Sequence, residues 1–510
     1  MGWLESFVRS LALALGSVGI ATVLAVPTWW LLSANPSRQR VIRRIAILVS
    51  IAIAATPILV HAMTWEASIG RFGYWTTLIG GRSAVFMGYY GSSAAVWVHG
   101  YVGAAWMFLM LSMHWRWVEP RFRDRLRLEC RGGVQTMSRV ASLMLPAWSL
   151  AAAWIGLLAM TEMTVADLYA FTTLPDRFYR RFAVTGDLCR VAAESLPWAI
   201  VIGATGAWWR QRSVEVYDAG RSDERSFVDG AAQPSSDGTM QESPRRLPGL
   251  TRWVWCIGLA IGMLGVPAVG WAGRIGHTPG GSFDASLTVT RLGRAFTENQ
   301  DELMWTMILS LGTSMLSVAT AWLMVLWTNP KRSTRCFADG SMLTLFCIPA
   351  PIIGLAFASF FTLPVPGFRT LYQNTLIPTL WALVCKGGPV AYLVLSSVWR
   401  GTGESFRDRA RMEHPPLRRM LWEYPRWMAQ PLAVAMAASA LIVAGDVAIT
   451  MRVTPPAVST AAARLFGLLH SGARFQEAAL GFWFAAIAML VIASVGLLRV
   501  LGPRRKVLDL

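Results

Sequence analysis

Long blocks of apolar residues dominate the sequence, and shorter polar stretches rich in arginine separate them. Each block approaches the roughly 20 residues that a helix needs to cross the hydrocarbon core of a bilayer. Eleven blocks occur, at residues 7–33, 41–65, 93–115, 137–161, 191–209, 253–273, 304–328, 338–362, 378–399, 428–450 and 477–498. Their glycines and prolines are tolerated in lipid-embedded helices. The pattern predicts an all-α polytopic membrane protein with about 11 transmembrane helices.

Composition and charge favour the lipid bilayer over nucleic acid as the partner. Of the 510 residues, 54% are hydrophobic and 15% are charged, and the net charge is +18. The polar stretches alternate between a set that carries 32 lysines and arginines and a set that carries 14. This asymmetry follows the positive-inside rule, which places the richer set and the C-terminus in the cytoplasm and the N-terminus outside. Charge placed in this way disfavours nucleic-acid binding.

One stretch occurs twice, 284 positions apart. Trp115-Arg116 precedes Phe122-Arg123-Asp124-Arg125, and Trp399-Arg400 precedes Phe406-Arg407-Asp408-Arg409 at the same spacing. The match continues to Arg127 and Glu129 in the first copy and to Arg411 and Glu413 in the second. It covers an apolar segment and the basic loop after it. A chain that resembles itself in this way consists of two copies of one structural unit.

The apolar blocks divide into two units of five helices. Asn35-Pro36 and Asn329-Pro330 end the first helix of each unit, and Pro57 and Pro351 lie at the same distance beyond them. The block at 253–273 adds one crossing, so both units have the same orientation in the membrane. The predicted organisation is a first repeat at 1–209, a flexible cytoplasmic linker at 210–252, an extra helix with a periplasmic loop at 253–303, and a second repeat at 304–510.

The loop between the third and fourth helices of the first unit is similar to a signature of type I ABC importer permeases. In that family a glycine ends an E-A-A-x-x-x-G motif and a Leu-Pro follows thirteen residues later; here Gly133 precedes Leu145-Pro146 at that distance. Arg127 stands where the family has its glutamate. Two such domains in one chain resemble the permeases of ferric-iron and thiamine importers. The resemblance implies a cell inner-membrane permease that works with a periplasmic solute-binding protein and a pair of separate ABC ATPase subunits.

The duplicated loops are the candidate contacts with those ATPase subunits. Phe122 and Leu126 recur at four-residue spacing on one face of a short predicted helix, and Arg123 and Arg127 lie on another face. An aromatic anchor in a partner's groove, surrounded by arginines, is a typical interface pattern. The alternative is a charged loop held by anionic lipid headgroups. The candidate coupling residues are Phe122, Arg123, Asp124, Arg125, Arg127, Glu129, Gly133, Phe406, Arg407, Asp408, Arg409, Arg411 and Glu413.

The sequence indicates neither an ATPase motor nor a catalytic centre of its own. A phosphate-binding loop needs Gly-Lys-Ser/Thr, but Lys331, Lys386 and Lys506 follow proline, cysteine and arginine. The six cysteines form no C-x-x-C pair, and the six histidines are scattered. We therefore expect no catalytic residues, no metal site and no cofactor, and ATP hydrolysis by a separate partner.

Few ionisable residues fall within the apolar blocks. Lys386 lies well inside one, and Glu162 and Asp446 end the fourth helix of each unit. Such residues face a cavity, a partner or a substrate, so these three are the candidates for the translocation path. The alternatives are helix-end acids at the interface, snorkelling of Lys386, or a structural pair between Lys386 and either Asp446 or Glu194.

Two other functions remain open at this stage. An ion-coupled secondary transporter also uses parallel repeats, but it needs an ion-binding acid at the middle of the membrane. A polytopic membrane enzyme would gather histidines or acids at one membrane face. The pattern favours a permease, with ferric iron or thiamine as the solute that the resemblance suggests.

Overall fold

The computed structural model describes most of the chain. The described residues are 2–33, 40–79, 89–118, 133–230, 249–278, 282–328, 332–401, 412, 423–472 and 474–501. Within them the chain is helical, and its β-structure is limited to one isolated bridge between His277 and Phe283. The prediction of an all-α protein is confirmed.

The helices follow one another with short connections. We number them α1 Trp3–Ser33, α2 Arg40–Ala55, α3 Ile58–Ile69, α4 Tyr74–Leu78, α5 Gly91–Trp117, α6 Gly133–Thr161, α7 Thr164–Leu168, α8 Leu174–Thr185, α9 Leu188–Gly230, α10 Gly249–Ala260, α11 Val266–Gly276, α12 Ala285–Glu298, α13 Gln300–Thr328, α14 Arg332–Cys347, α15 Ala350–Phe361, α16 Phe368–Asn374, α17 Ile377–Gly401, α18 Tyr424–Trp427, α19 Ala429–Ala444, α20 Thr450–Val453, α21 Ala461–Ser471 and α22 Arg474–Leu501. A π-helical turn, Ile261–Gly265, joins α10 to α11.

Many of these helices are suited to a membrane. In the described part of the chain, eight are long and apolar enough to cross a bilayer, and the number rises to ten if each of two bent pairs is one span. The block predicted at 428–450 corresponds to α19, which has 16 residues and is shorter than the other candidates. The chain is therefore a polytopic membrane protein with eight to ten candidate spans, against about eleven predicted.

The second helix of each predicted unit is sharply broken. The axes of α2 and the α3 segment differ by 102°, and those of α14 and α15 differ by 91°. Proline explains both breaks because it lacks an N–H and disfavours helical geometry in the residue before it. Pro57 stands at the first break, and Pro349 and Pro351 stand at the second. Each block predicted as one span at 41–65 and 338–362 is thus divided into two helices.

The last helix of the first unit is longer than its apolar block. Helix α9 continues to Gly230, so the first part of the segment predicted as a flexible linker is helical. Residues 231–248 lie outside the described part of the chain.

Outside the spans, Asp284 caps α12, and hydrogen bonds from the Ser286 side chain and the Leu287 backbone lower the pKa of its carboxyl.

Each predicted unit has its own core, and one aromatic contact occurs in both cores. In the first unit α1, α5 and α6 pack together, with Trp29 edge-to-face on Trp115 at 5.6 Å between ring centres. In the second unit α13, α17 and α19 pack together, with Trp322 edge-to-face on Trp399 at 5.4 Å. Aromatic pairs favour this geometry because the ring edge is positive and the ring face negative.

The last helix of each predicted unit packs against the other unit. Helix α9 of the first unit lies along α14 of the second, and Phe178 and Val191 bury against Ile352. Reciprocally, α22 of the second unit packs on α3 of the first, where Met63 and Leu480 share a core. Neither unit completes its packing alone, so the interface between them is built into the fold.

Replacing Gly203 with alanine should separate α9 from α14. A Cβ there would lie 2.6 Å from the Thr344 backbone nitrogen and 2.8 Å from its Cα, and small residues are what allow membrane helices to approach so closely. We expect a loss of about 1–3 kcal/mol in the free energy of unfolding, the usual cost of overpacking. Gly19→Ala in α1 is the matched control, since nothing lies within 4 Å of its Cβ position. Equal thermal unfolding of the two variants in detergent would contradict the close approach.

Candidate translocation site

The predicted coupling residues fall almost entirely outside the described part of the chain. Gly133 begins α6, and the remaining candidates lie in 122–129, in 406–411 and at 413, which the structure does not describe. Their role stays a prediction. The duplicated pair just before each copy is described, and Trp115 and Trp399 are both buried in their cores.

Glu162 and Asp446, which lie 284 positions apart, each accept backbone hydrogen bonds at the start of a short helix. Glu162 accepts hydrogen bonds from the backbone nitrogens of Thr164 and Val165, at the start of α7. Asp446 accepts one from the backbone nitrogen of Ile449 at 2.7 Å, at the start of α20. A carboxylate at a helix N-terminus satisfies N–H groups that have no partner within the helix. This placement matches the helix-end alternative for both acids.

The two acids also lie close to the interface between the units. They interact electrostatically with each other. The Cβ position of Gly445, next to Asp446, is 3.0 Å from the Pro57 side chain at the break in the first unit. His99 Nε2 is 3.5 Å from Glu162. Glu194 belongs elsewhere, since Arg181 pairs with it at 2.7 Å, and the proposed pair of Glu194 with Lys386 is not formed.

Lys386 binds the backbone at the second break. Its side chain is buried (6% exposed), and its Nζ donates hydrogen bonds to the carbonyl oxygens of Phe346 and Ile348, both at 2.7 Å. Phe346 is in the last turn of α14, whose terminal carbonyls have no partner within the helix. An ammonium group there satisfies them and interacts favourably with the helix dipole. Lys386 and Asp446 interact electrostatically, but no direct ion pair joins them.

The first break uses a different side chain for the same purpose. His61 Nε2 lies 2.9 Å from the carbonyl oxygen of Ile53, in the last turn of α2. This role was not predictable from the sequence, because a single histidine in an apolar block is compatible with simple packing. Both breaks are therefore held by a basic side chain on the terminal carbonyls of the preceding helix.

A buried ionic cluster, which the sequence did not predict, joins the middle of α9, the middle of α14 and the last part of α17. Asp339 in α14 is fully buried. Its Oδ1 accepts hydrogen bonds from Arg210 at 2.6 Å, from Arg400 at 2.7 Å and from the Tyr392 hydroxyl at 3.0 Å. Gln211 donates to Oδ2 at 2.9 Å. We call these five residues the Asp339 cluster; it crosses the interface because Arg210 and Gln211 come from the first unit.

The extra helix, formed by α10 and α11, contacts both predicted units. Pro267 in α11 lacks an N–H, which leaves the Met263 carbonyl free, and the Tyr101 hydroxyl of α5 donates to it at 3.2 Å. On the other side, Arg274 forms a buried ion pair with Glu477 of α22 at 2.7 Å. The helix predicted at 253–273 is thus an integral part of the bundle.

An open cavity of about 410 Å³ lies between α20 and α21. Its wall includes the side chains of Thr450, Thr454, Ser459, Thr460 and Arg464, together with Pro455 and Pro456. The Ser459 and Thr460 hydroxyls and the Arg464 guanidinium can donate hydrogen bonds, and the wall contains no acidic residue. The Thr450 and Thr454 hydroxyls already donate to backbone carbonyls one turn earlier in the chain. This chemistry suits a small anionic or hydroxyl-rich solute.

Among the described residues no group of histidines, cysteines and acids could hold a metal ion. The chain matches no known protein family and no curated protein sequence.

Proposed function

We propose that this protein is the transmembrane permease subunit of an ATP-driven ABC importer of the cell inner membrane. Both halves of the solute pathway would lie in one chain, as two parallel repeats. The solute would come from a periplasmic binding protein, and a separate pair of ATPase subunits would drive its passage. The chain itself would not be an enzyme.

The observation that carries this proposal is the reciprocal packing of the two units. Helix α9 packs on the second unit and α22 on the first, and both units have a broken second helix. Transport by alternating access requires two units that move against each other around a shared site. The acids Glu162 and Asp446, with Pro57 nearby, lie at that interface.

The Asp339 cluster supports a connection between the cytoplasmic loops and this interface. Arg400 stands just before the second coupling segment and is fixed to Asp339 of α14 and, through it, to Arg210 of α9. A force applied to that segment would therefore act on helices of both units. Proline-broken helices near the interface suit such a movement because they already lack part of their backbone ladder.

The open cavity bears on the choice of solute. Its wall carries Arg464 and hydroxyl groups without a carboxylate, which favours an anionic species over a cation such as thiamine. Of the two solutes that the resemblance suggests, ferric iron carried as an anionic chelate agrees better with this wall.

An ion-coupled secondary transporter is the second candidate. Asp446 interacts electrostatically with Lys386 and with Glu162, and interacting charges within a membrane are typical of ion coupling. ATP hydrolysis would drive the ABC importer, whereas an ion gradient would drive the secondary transporter.

The coupling role can be tested by replacing Phe122 and Phe406 with alanine. If both are buried anchors, each replacement should weaken association with the ATPase subunits by about 1–4 kcal/mol. Phe337→Ala is the control, because Phe337 is a phenylalanine of α14 that is 68% exposed. Co-purification of the ATPase and ATP hydrolysis report the effect. Association as tight in the double variant as in the control would reject the coupling role.

A further inference from the structure

Helix α12, which is not one of the candidate spans, packs on the rest of the protein with one face. Arg291 donates hydrogen bonds to two carbonyl oxygens at the end of α11, at 2.6 and 2.9 Å. The ring of Phe296 lies 4.8 Å from that of Trp483 in α22, and the Trp483 indole donates to the Leu292 carbonyl oxygen at 2.9 Å. These contacts fix which sides of α12 remain exposed.

One exposed side of α12 is apolar. Ala285, Val289 and Phe296 follow one another at spacings of four and seven residues, so they lie on the same side of the helix. Val289 is 71% exposed and Phe296 is 43% exposed, although Phe296 also touches α22. Within the protein alone, this apolar side therefore remains uncovered.

The other exposed side of α12 is polar. Ser286, Thr290, Arg294 and Thr297 are exposed, and at about 100° per residue they lie roughly a third of a turn from the apolar side. The side chains of Arg294 and Glu298 are 69% and 53% exposed. Hydrocarbon around the whole helix would surround these charges, and water around the whole helix would leave the apolar side wet. Two such sides are typical of a helix at the boundary between lipid and water.

The neighbouring spans place α12 at the level of a membrane surface. Only Asn299 separates α12 from the candidate span α13. Charged groups occur at the corresponding end of three spans: Arg274 near the end of α11 pairs with Glu477 in the first turn of α22, and Asp301 lies in the first turn of α13. The apolar stretches of α13 and α22 begin directly after these charges. The edge of the apolar bundle therefore lies beside α12.

We propose that α12 is an interfacial helix that binds the lipid surface of the bilayer. Val289 and Phe296 lie at the boundary of the acyl chains, and Arg294 lies among the headgroups. Lipid is the occupant of the apolar side because α12 packs on α11 and α22, which are themselves in candidate spans. In the predicted topology this surface is the periplasmic one. The proposal rests on the membrane architecture and not on the transport function.

Cysteine labelling of the purified protein in lipid nanodiscs tests this placement. Val289→Cys and Thr290→Cys are adjacent, and both positions are exposed in the protein alone. A membrane-impermeant maleimide should modify Thr290→Cys at least about tenfold faster than Val289→Cys, because a thiol reacts as its thiolate and the thiolate forms in water. Mass spectrometry of the labelled peptides distinguishes each position from the native cysteines. Denaturation of both variants should make the two rates equal.

A second pair, Phe296→Cys and Thr297→Cys, should show the same difference, also if a variant of the first pair fails to fold. Equal and fast labelling of Val289→Cys and Thr290→Cys in nanodiscs would overturn the proposal, because the apolar side would then face water. Equal and slow labelling would overturn it as well, because α12 would then lie wholly in hydrocarbon. Protection of Val289→Cys that requires an added soluble protein would assign the apolar side to that protein instead of lipid.

Discussion

Replacing Asp339 with asparagine should lower the free energy of unfolding by about 3–5 kcal/mol, the usual cost of breaking a buried ion pair from one side. The substitution leaves the guanidinium groups of Arg210 and Arg400, only 12% and 11% exposed, without their shared carboxylate. Chemical or thermal unfolding in detergent, followed by tryptophan fluorescence, measures the change.

The control for this variant is Asp301→Asn. Asp301 is an exposed acid in the first turn of α13, and its loss should change stability by no more than about 0.5 kcal/mol. A second variant, Asp339→Asn combined with Arg210→Gln, should recover part of the loss because it removes one of the stranded charges. Asp339→Asn with the stability of the control would show that the cluster contributes little.

Replacing Lys386 with methionine should leave the protein folded but slow solute uptake at least about tenfold, which corresponds to roughly 1.4 kcal/mol. Two opposing terms act on stability. Removal of a buried ammonium recovers about 2.5–3.5 kcal/mol, while the carbonyls of Phe346 and Ile348 lose their donor at about 1–3 kcal/mol each. These terms nearly cancel. The break between α14 and α15, however, loses the side chain that fixes it to α17.

Uptake into membrane vesicles, compared at equal amounts of folded protein, measures this effect. Cys385→Ala, the neighbouring position in α17, is the control and should transport normally. Normal uptake by Lys386→Met would reduce Lys386 to a packing role. Loss of folding that Asp446→Asn restores would instead identify a structural charge pair between Lys386 and Asp446.

The sequence was sufficient to predict the class of fold and the place of most membrane helices. Long apolar blocks define such helices because the bilayer sets their length. The same information located Pro57, Pro351, Glu162 and Asp446 at matching positions. It did not predict the 102° and 91° breaks, because a proline inside an apolar block is equally compatible with a mild kink in a membrane helix.

The contacts between distant helices were not predictable in the same way. Asp339 lies at the start of the apolar block at 338–362, and Arg210 is the first residue of the segment predicted as a linker. Their pairing depends on α9 packing along α14, and apolar periodicity does not specify which helices become neighbours. Lys386 was recognised as exceptional from its burial cost, but its partners proved to be backbone carbonyls, which leave no mark in the sequence.

Measuring which energy source drives transport is the most direct test of the proposed importer. The protein would be purified in mild detergent from its own membranes, and magnesium-dependent ATP hydrolysis would be measured on the complex. The account predicts hydrolysis by a co-purified subunit that carries a Gly-Lys-Ser/Thr phosphate loop, and its loss in the Phe122→Ala, Phe406→Ala variant. A protein that purifies without an ATPase, and whose uptake in vesicles needs no ATP and stops when an ionophore collapses the ion gradient, would contradict it.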